Sequence, residues 1–312
     1  MINVTILGTA GALPLPERAL TAFTLSLKGR HILFDCGEGT QVALRRAGIN
    51  FMKIDMIALT HYHGDHVFGL PGLLQTMNLN ERTEPLYIAG PVRRPGTLDA
   101  ELDNILALTG RLEYELRLAE IGENGLELHK ILPDWPEKAV LRAFKTEHRV
   151  LSQGYRFELA RAGKFDASRA RALSIPLKFW SPLQHGETVT DGDNIYTPDM
   201  VLGPERRGIS VAFTGDTMFC DSAVKGAAGA DLLISEATYG DPDQEETAAK
   251  WGHMTFSQAG RLAAAANVRD LRLVHFSQRI NDPEEFLDSA RAYFPEAKCG
   301  TQGEQLVLSY KD

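Results

Sequence analysis

Four side chains that can hold a metal ion fall within six residues of this chain, in the run His61-Tyr62-His63-Gly64-Asp65-His66. Neutral imidazole suits zinc, and a carboxylate can bind or bridge harder cations. If the backbone is extended between His61 and His63, their side chains point the same way, which leaves Asp65 and His66 to face a second ion. The run is bounded by structure on both sides. Met56-Ile57-Ala58-Leu59 reads as a buried strand. Gly69-Leu70-Pro71-Gly72 followed by Leu73 to Met77 reads as a turn entering a helix. A cluster at the end of a buried strand is where layered α/β folds place ligand chemistry. The bland alternative is a polar loop rich in histidine. With only nine histidines in 312 residues, three in one loop argue against it.

The rest of the chain repeats the same device. Strands are expected at Asn3–Leu7, Leu86–Ala89, Val140–Lys145, Gly154–Leu159, Ile209–Phe213, Asp231–Ile234 and Leu271–Val274. A hairpin about Lys28-Gly29 is expected to join Phe23–Leu27 to His31–Phe34. Helices are expected over Thr40–Ala47 and Thr97–Leu108. The pattern Thr255-Phe256-Ser257-Gln258 forms a capping box that opens a further helix through Ala266. His61, His148, Asp216, Glu236 and His275 each stand just past an expected strand, so in one layered sheet fold they can converge at one edge. His31, His129 and His185 have no such setting. Gly8-Thr9-Ala10-Gly11 is too short for a dinucleotide loop and lacks a phosphate-binding lysine.

The length allows one large domain or two small ones. The apolar runs are far too short to span a bilayer, and the N-terminus lacks a basic, cleavable leader. Three widely spaced cysteines, Cys36, Cys220 and Cys299, form neither a disulfide framework nor a CxxC site, which points to a reducing cytoplasm. A net charge of −8 excludes wholesale nucleic-acid binding by surface charge, but not a local basic patch. One such patch exists. Arg161, Lys164, Arg169, Arg171 and Lys178 lie between 161 and 180 against the single acid Asp166. Phe165, Phe179 and Trp180 interleave with them, a mixture suited to phosphates and exposed bases.

His61-Tyr62-His63-Gly64-Asp65-His66 resembles the HxHxDH signature of the metallo-β-lactamase superfamily. Further stretches resemble ribonuclease Z within that superfamily: Leu33-Phe34-Asp35-Cys36-Gly37-Glu38-Gly39-Thr40-Gln41, His148-Arg149-Val150-Leu151-Ser152-Gln153-Gly154-Tyr155-Arg156, Thr214-Gly215-Asp216-Thr217, Glu236-Ala237-Thr238, Gly252-His253-Met254-Thr255 and His275-Phe276-Ser277-Gln278-Arg279. Two departures stand out. Ser235 occupies a place where the family often has histidine, and Ile175 to Pro182 lies where many members carry a Gly-Pro motif in a tRNA-gripping arm.

The resemblance implies an α/β fold, the αβ/βα sandwich of two mixed sheets flanked by helices, as a single domain over 1–312 with an inserted arm near 160–185. It implies a zinc-dependent endoribonuclease that removes the 3′ trailer from precursor tRNA, leaving a 3′-hydroxyl on the tRNA and a 5′-phosphate on the trailer. Two zinc ions per chain are implied, with manganese as the alternative ion. One would be held by His61, His63 and His148, the other by Asp65, His66 and His275, with Asp216 bridging. Asp65 would orient or deprotonate the attacking water, and His253, oriented by Glu236, would protonate the leaving oxygen. Arg161, Lys164, Arg169, Arg171, Lys178 and Arg279 would contact RNA. A cytoplasmic homodimer is also implied. The rival readings are a superfamily phosphodiesterase or arylsulfatase acting on small esters, and a catalytically silent RNA-binding protein.

Overall fold

A computed structural model describes residues 1–93, 100–132, 135 and 138–311. Its strands are, in order, β1 (Ile2–Gly8), β2 (Ala22–Leu27), β3 (Arg30–Phe34), β4 (Ile54–Ala58), β5 (Leu86–Ala89), β6 (Leu116–Ala119), β7 (Leu126–Glu127) and β8 (Ala139–Lys145). There follow β9 (Gln153–Arg161), β10 (Val189–Asp191), β11 (Asn194–Tyr196), β12 (Arg206–Phe213), β13 (Leu232–Glu236), β14 (Leu271–Val274), β15 (Lys298–Cys299) and β16 (Gln305–Leu308). Two seven-stranded sheets result, with orders β16-β1-β2-β3-β4-β5-β6 and β15-β14-β13-β12-β9-β8-β7. Both are mixed. β3 to β6 pair in parallel while β1, β2 and β16 are antiparallel to their neighbours. β12 to β15 are likewise parallel, and β7 and β8 antiparallel.

By Cα proximity the chain forms two compact units, Met1–Glu158 with Ser210–Ser309, and Leu159–Ile209 with Tyr310–Asp312. In the first unit the sheets pack through aromatic side chains. Phe23 and Phe34 stack at 4.5 Å, and the edge of Phe213 meets Phe23 at 5.0 Å. Tyr155 joins them and gives its hydroxyl proton to the Leu59 carbonyl at 2.7 Å. Buried rings of this kind supply large apolar area and prefer offset or edge contacts. Outside the first sheet, the helices Thr40–Arg46, Leu70–Leu79 and Ala100–Ala107 bury Leu44, Leu73, Leu74 and Leu102. Outside the second, Asp221–Ala227, Phe256–Ala265 and Leu287–Arg291 bury Ala223, Leu262 and Leu287.

Most expected elements are present. In the hairpin joining β2 and β3, Lys28 and Gly29 both have positive φ (48° and 83°), the turn whose twist matches that of the strands. The helix expected from Leu73 begins earlier, at Leu70, because Pro71 falls in its first turn where no amide donor is needed. Thr97, Leu98 and Asp99 of the expected helix lie outside the described residues. The box at Thr255 and Gln258 caps its helix reciprocally. Glu236 is not past the end of its strand but is the last residue of β13, which ends two residues later than expected because its parallel neighbour β14 pairs with it as far as Val274.

The second unit contains the 160–185 stretch. Its small core is Ala170, Ile175, Leu183 and Val201, with Phe165, Phe179 and Trp180 packed against it. These partly buried rings pack on that core and also meet the cations expected beside them, Lys178 over Phe179 at 4.5 Å and Arg171 over Trp180 at 5.7 Å. The Trp180 indole N–H is used internally, on the Ile175 carbonyl at 3.0 Å. Asp166 caps the helix Ala167–Ala172, accepting from the amides of Ser168 and Arg169. Lys164, Arg169, Arg171 and Lys178 are exposed and Arg161 is half-buried.

Candidate metal centre

Six strand ends meet at one edge of the first unit. Asp35 follows β3, Thr60 and His61 follow β4, His148 follows β8, Asp216 follows β12, Glu236 ends β13 and His275 follows β14. The short helix Gly64–Val67 carries Asp65 and His66 back over the same edge. Asp35 and His275 sit at φ 55° and 62°, a left-handed conformation that L-residues rarely adopt and that clusters at functional sites. Ligand-capable atoms of His61, His63 and His148 lie within 4.8 Å of one another. So do those of His61, His66 and Asp216, and of Asp65, His66 and His275. All seven residues expected to ligate metal are thus brought together.

The protons on these rings can be assigned from their other partners. Asp35, fully buried, accepts from the His66 Nδ1–H at 2.8 Å, the Thr60 amide at 2.7 Å and the Thr60 hydroxyl. Because the Thr60 hydroxyl donates to Asp35, its oxygen accepts from His61 Nδ1–H at 3.1 Å. The Gly252 carbonyl accepts from His148 Nδ1–H at 2.8 Å. Glu236 accepts the Thr238 hydroxyl at 2.6 Å, and Thr238 Oγ1 in turn accepts from His275 Nδ1–H at 2.9 Å. Each of the four rings therefore turns a bare Nε2 inward, the arrangement that second partners impose on metal-binding histidines.

The inward atoms have no complementary donor. His61 Nε2 and His63 Nδ1 are 3.0 Å apart, and His148 Nε2 is 3.2 Å from His63 Nδ1. His66 Nε2 faces His275 Nε2 at 3.3 Å. Asp216 is 3 % exposed, and among the described residues its ion-pair partners are imidazoles alone, His275, His66, His61 and His253 at 3.3, 3.4, 3.7 and 3.9 Å. Lone pairs and carboxylates converging in a buried space require cations, so the donor set fits a two-metal centre. The electrostatics agree. Burial, followed by the other imidazoles, holds His61 and His63 below the ordinary histidine range. Burial opposes charge on His66, but Asp216, Asp35 and Asp65 outweigh it and raise its pKa, so the carboxylates favour positive charge at this point. Asp65 resists ionisation by burial, yet His66 and His275 hold it well below the usual carboxylate range. Its Oδ2 also accepts the Ala12 amide at 2.8 Å.

His253 stands beside this cluster, its ring 5.0 Å from His148 and 5.5 Å from His275. Its Nδ1–H donates to Glu236 Oε1 at 2.9 Å, which leaves Nε2 outside that contact. Glu236 is fully buried and also accepts the amides of Thr217, Thr238 and Met254. Burial disfavours a charged His253, but Glu236 prevails and its pKa is pushed up to about 9. Of the residues expected to contact RNA, Arg279 is exposed in the turn after His275, and the other five belong to the second unit. Asp35, Thr60, Thr238 and Gly252 were given no role by sequence reasoning. Asp35 carried the signal that found the others, a carboxylate just past a strand.

A sandwich of two mixed sheets with this centre at the strand ends defines a hydrolase of the metallo-β-lactamase superfamily. A model described as the beta-lactamase superfamily domain matches residues 125–276, and one described as anti-Pycsar protein Apyc1 matches residues 2–114. Ribonuclease Z of Agathobacter rectalis is 40 % identical over 319 aligned residues, covering 100 % of both chains. That of Lachnoclostridium phytofermentans is 38 % identical, covering 99 % of each. The crystal structure of human tRNase Z, short form, superposes with a TM-score of 0.66 at 27 % identity, covering 99 % of this chain and 100 % of that one. This chain belongs to the ribonuclease Z family and is an endoribonuclease.

Proposed function

We propose that the chain removes the 3′ trailer from precursor tRNA with two zinc ions, manganese being the alternative. His61, His63 and His148 would hold one ion, Asp65, His66 and His275 the other, with Asp216 between them. When bound, the pair supplies Lewis-acid activation of water and neutralises charge on the scissile phosphate. Asp65, kept anionic, orients the attacking water. As water adds to phosphorus and passes its proton to Asp65, the P–O3′ bond breaks and His253 gives its Nε2 proton to the departing O3′. Products are a tRNA 3′-hydroxyl and a trailer with a 5′-phosphate. Glu236 fixes the His253 tautomer and keeps the ring charged, as a general acid requires. Positive charge held by the neighbouring ligands would lower that pKa from about 9.

The observation that carries this reading is the His253–Glu236 pair beside seven converging ligand atoms. The second unit is the RNA-gripping arm in this proposal, supported by exposed Lys164, Arg169, Arg171 and Lys178. Arg279 adds a cation near the centre. A homodimer is part of this proposal, and sedimentation would test it. Three free, buried cysteines support a cytoplasmic setting, and among the described residues no helix is long and apolar enough to cross a membrane. The deciding assay incubates zinc-loaded protein with precursor tRNA and maps the cut. His253→Ala should retain both ions and bind RNA while losing ~10²–10⁴ in rate. Cleavage at the parental rate would remove His253 from the mechanism.

A further inference from the structure

Trp251 is 45 % exposed, although an indole offers more apolar surface than any other side chain. The Arg149 guanidinium lies over it, 4.6 Å from the ring centroid. Neither residue has a part in the chemistry above, yet both are bound to it through the chain. Arg149 follows His148, and Trp251 is two residues before His253, so the Cα atoms of that tryptophan and histidine are at most about 7.6 Å apart. The two segments are clamped together. Gly252 accepts the His148 Nδ1–H, and a Cβ on Gly252 would lie 2.8 Å from that nitrogen and 3.1 Å from the Arg149 amide. An exposed cation–aromatic pair is thus fixed on the side of the centre where His253 stands.

We propose that Arg149 and Trp251 form a nucleobase-stacking subsite for the nucleotide whose O3′ leaves. His253 protonates that oxygen, so the strand carrying it must pass the residues adjoining His253. A π face accepts any of the four bases, and a planar guanidinium stacks while keeping its charge for the neighbouring phosphate. This inference rests on the RNA-cleaving reading, and the test separates the two. Two precursor tRNAs are compared, identical except for an abasic nucleotide immediately upstream of the cut. For the parent enzyme the abasic substrate should lose about 5- to 150-fold in kcat/KM, the size of one stacked base. Trp251→Ala should cut both substrates alike, and Trp251→Phe should keep most of the discrimination. If Trp251→Ala fails to fold, Trp251→Leu keeps apolar volume without the π face and should lose discrimination equally. A parent indifferent to the missing base overturns the subsite, as does full discrimination in Trp251→Ala or Trp251→Leu. A parent that cuts neither RNA overturns the functional reading, and the subsite with it.

Discussion

Replacing Asp35 with asparagine should weaken one or the other of the proposed metal subsites from a position outside both ligand sets. The carboxylate accepts from His66 Nδ1 on Oδ2 and from the Thr60 amide on Oδ1, with the Thr60 hydroxyl between. A side-chain amide has one accepting end, so the substituted side chain must set its NH2 group against either the Thr60 amide or His66 Nδ1–H. In the second case His66 escapes the clash by moving its proton to Nε2, the atom that faces the centre. In the first, Thr60 is displaced and His61 loses its brace. Loss of such an outer partner typically costs 10–100-fold in metal affinity, about 1.4–2.7 kcal/mol. A buried donor left without an acceptor adds about 1–3 kcal/mol of instability to the metal-free protein. Thr60→Val is the control, since it keeps the amide contact and shape and removes the hydroxyl that braces His61. Competition against a chromogenic zinc chelator should show at least one weakened site in Asp35→Asn and one in Thr60→Val. Two sites of parental affinity in Asp35→Asn would refute the bracing argument, whatever happened to turnover.

Three further outcomes are expected. Gly252→Ala should lose about 1–2 kcal/mol in thermal or denaturant unfolding, because φ is +77° and the new methyl meets His148 Nδ1, and its zinc content should fall. In the metal-free protein the His253 ring should titrate near 9 by NMR, and Glu236→Gln should bring it down. Since that pKa is raised on folding, the stability it contributes is complete below about pH 6.5 and is lost as pH rises through 9. The variant should flatten this basic limb, and an unchanged limb would show that the Glu236 contact does not set it. Changing Lys164, Arg169, Arg171 and Lys178 together to alanine should weaken precursor-tRNA binding and reduce the slope of log affinity against log salt by up to about 3. An unaltered slope would move the RNA-binding surface elsewhere.

Much of the site was legible because strand ends leave a mark in sequence. A short apolar run that stops at His148, Asp216 or His275 says where the sheet edge lies and which side chain stands there. The boundary at Glu236 was misplaced because Ser235 and Glu236 look like the start of a loop. They remain in the strand because a parallel neighbour holds their backbone, a contact distant in sequence. The braces were harder to read. Thr60, Thr238 and the Gly252 carbonyl act through single hydrogen bonds that carry no periodicity, and a backbone oxygen has no residue type. The packing role of Phe165, Phe179 and Trp180 was not legible, because composition shows cations and aromatics side by side but not that the same rings also cover a small core.

The pairing of β1 with β16, and the contact of Ala10 with Phe276, have a consequence for synthesis. His66 and His275 face each other across 209 residues of chain. At ribosomal speeds of roughly 5–20 residues per second, about 10–40 s separate their emergence. During that interval the nascent chain presents the HxHxDH loop without its closing histidine, and β1 with one edge unpaired. The half that emerges first carries His61, His63 and His148, but the Gly252 carbonyl that braces His148 and the facing His275 come later. The proposed centre is therefore complete only with the last fifth of the polypeptide.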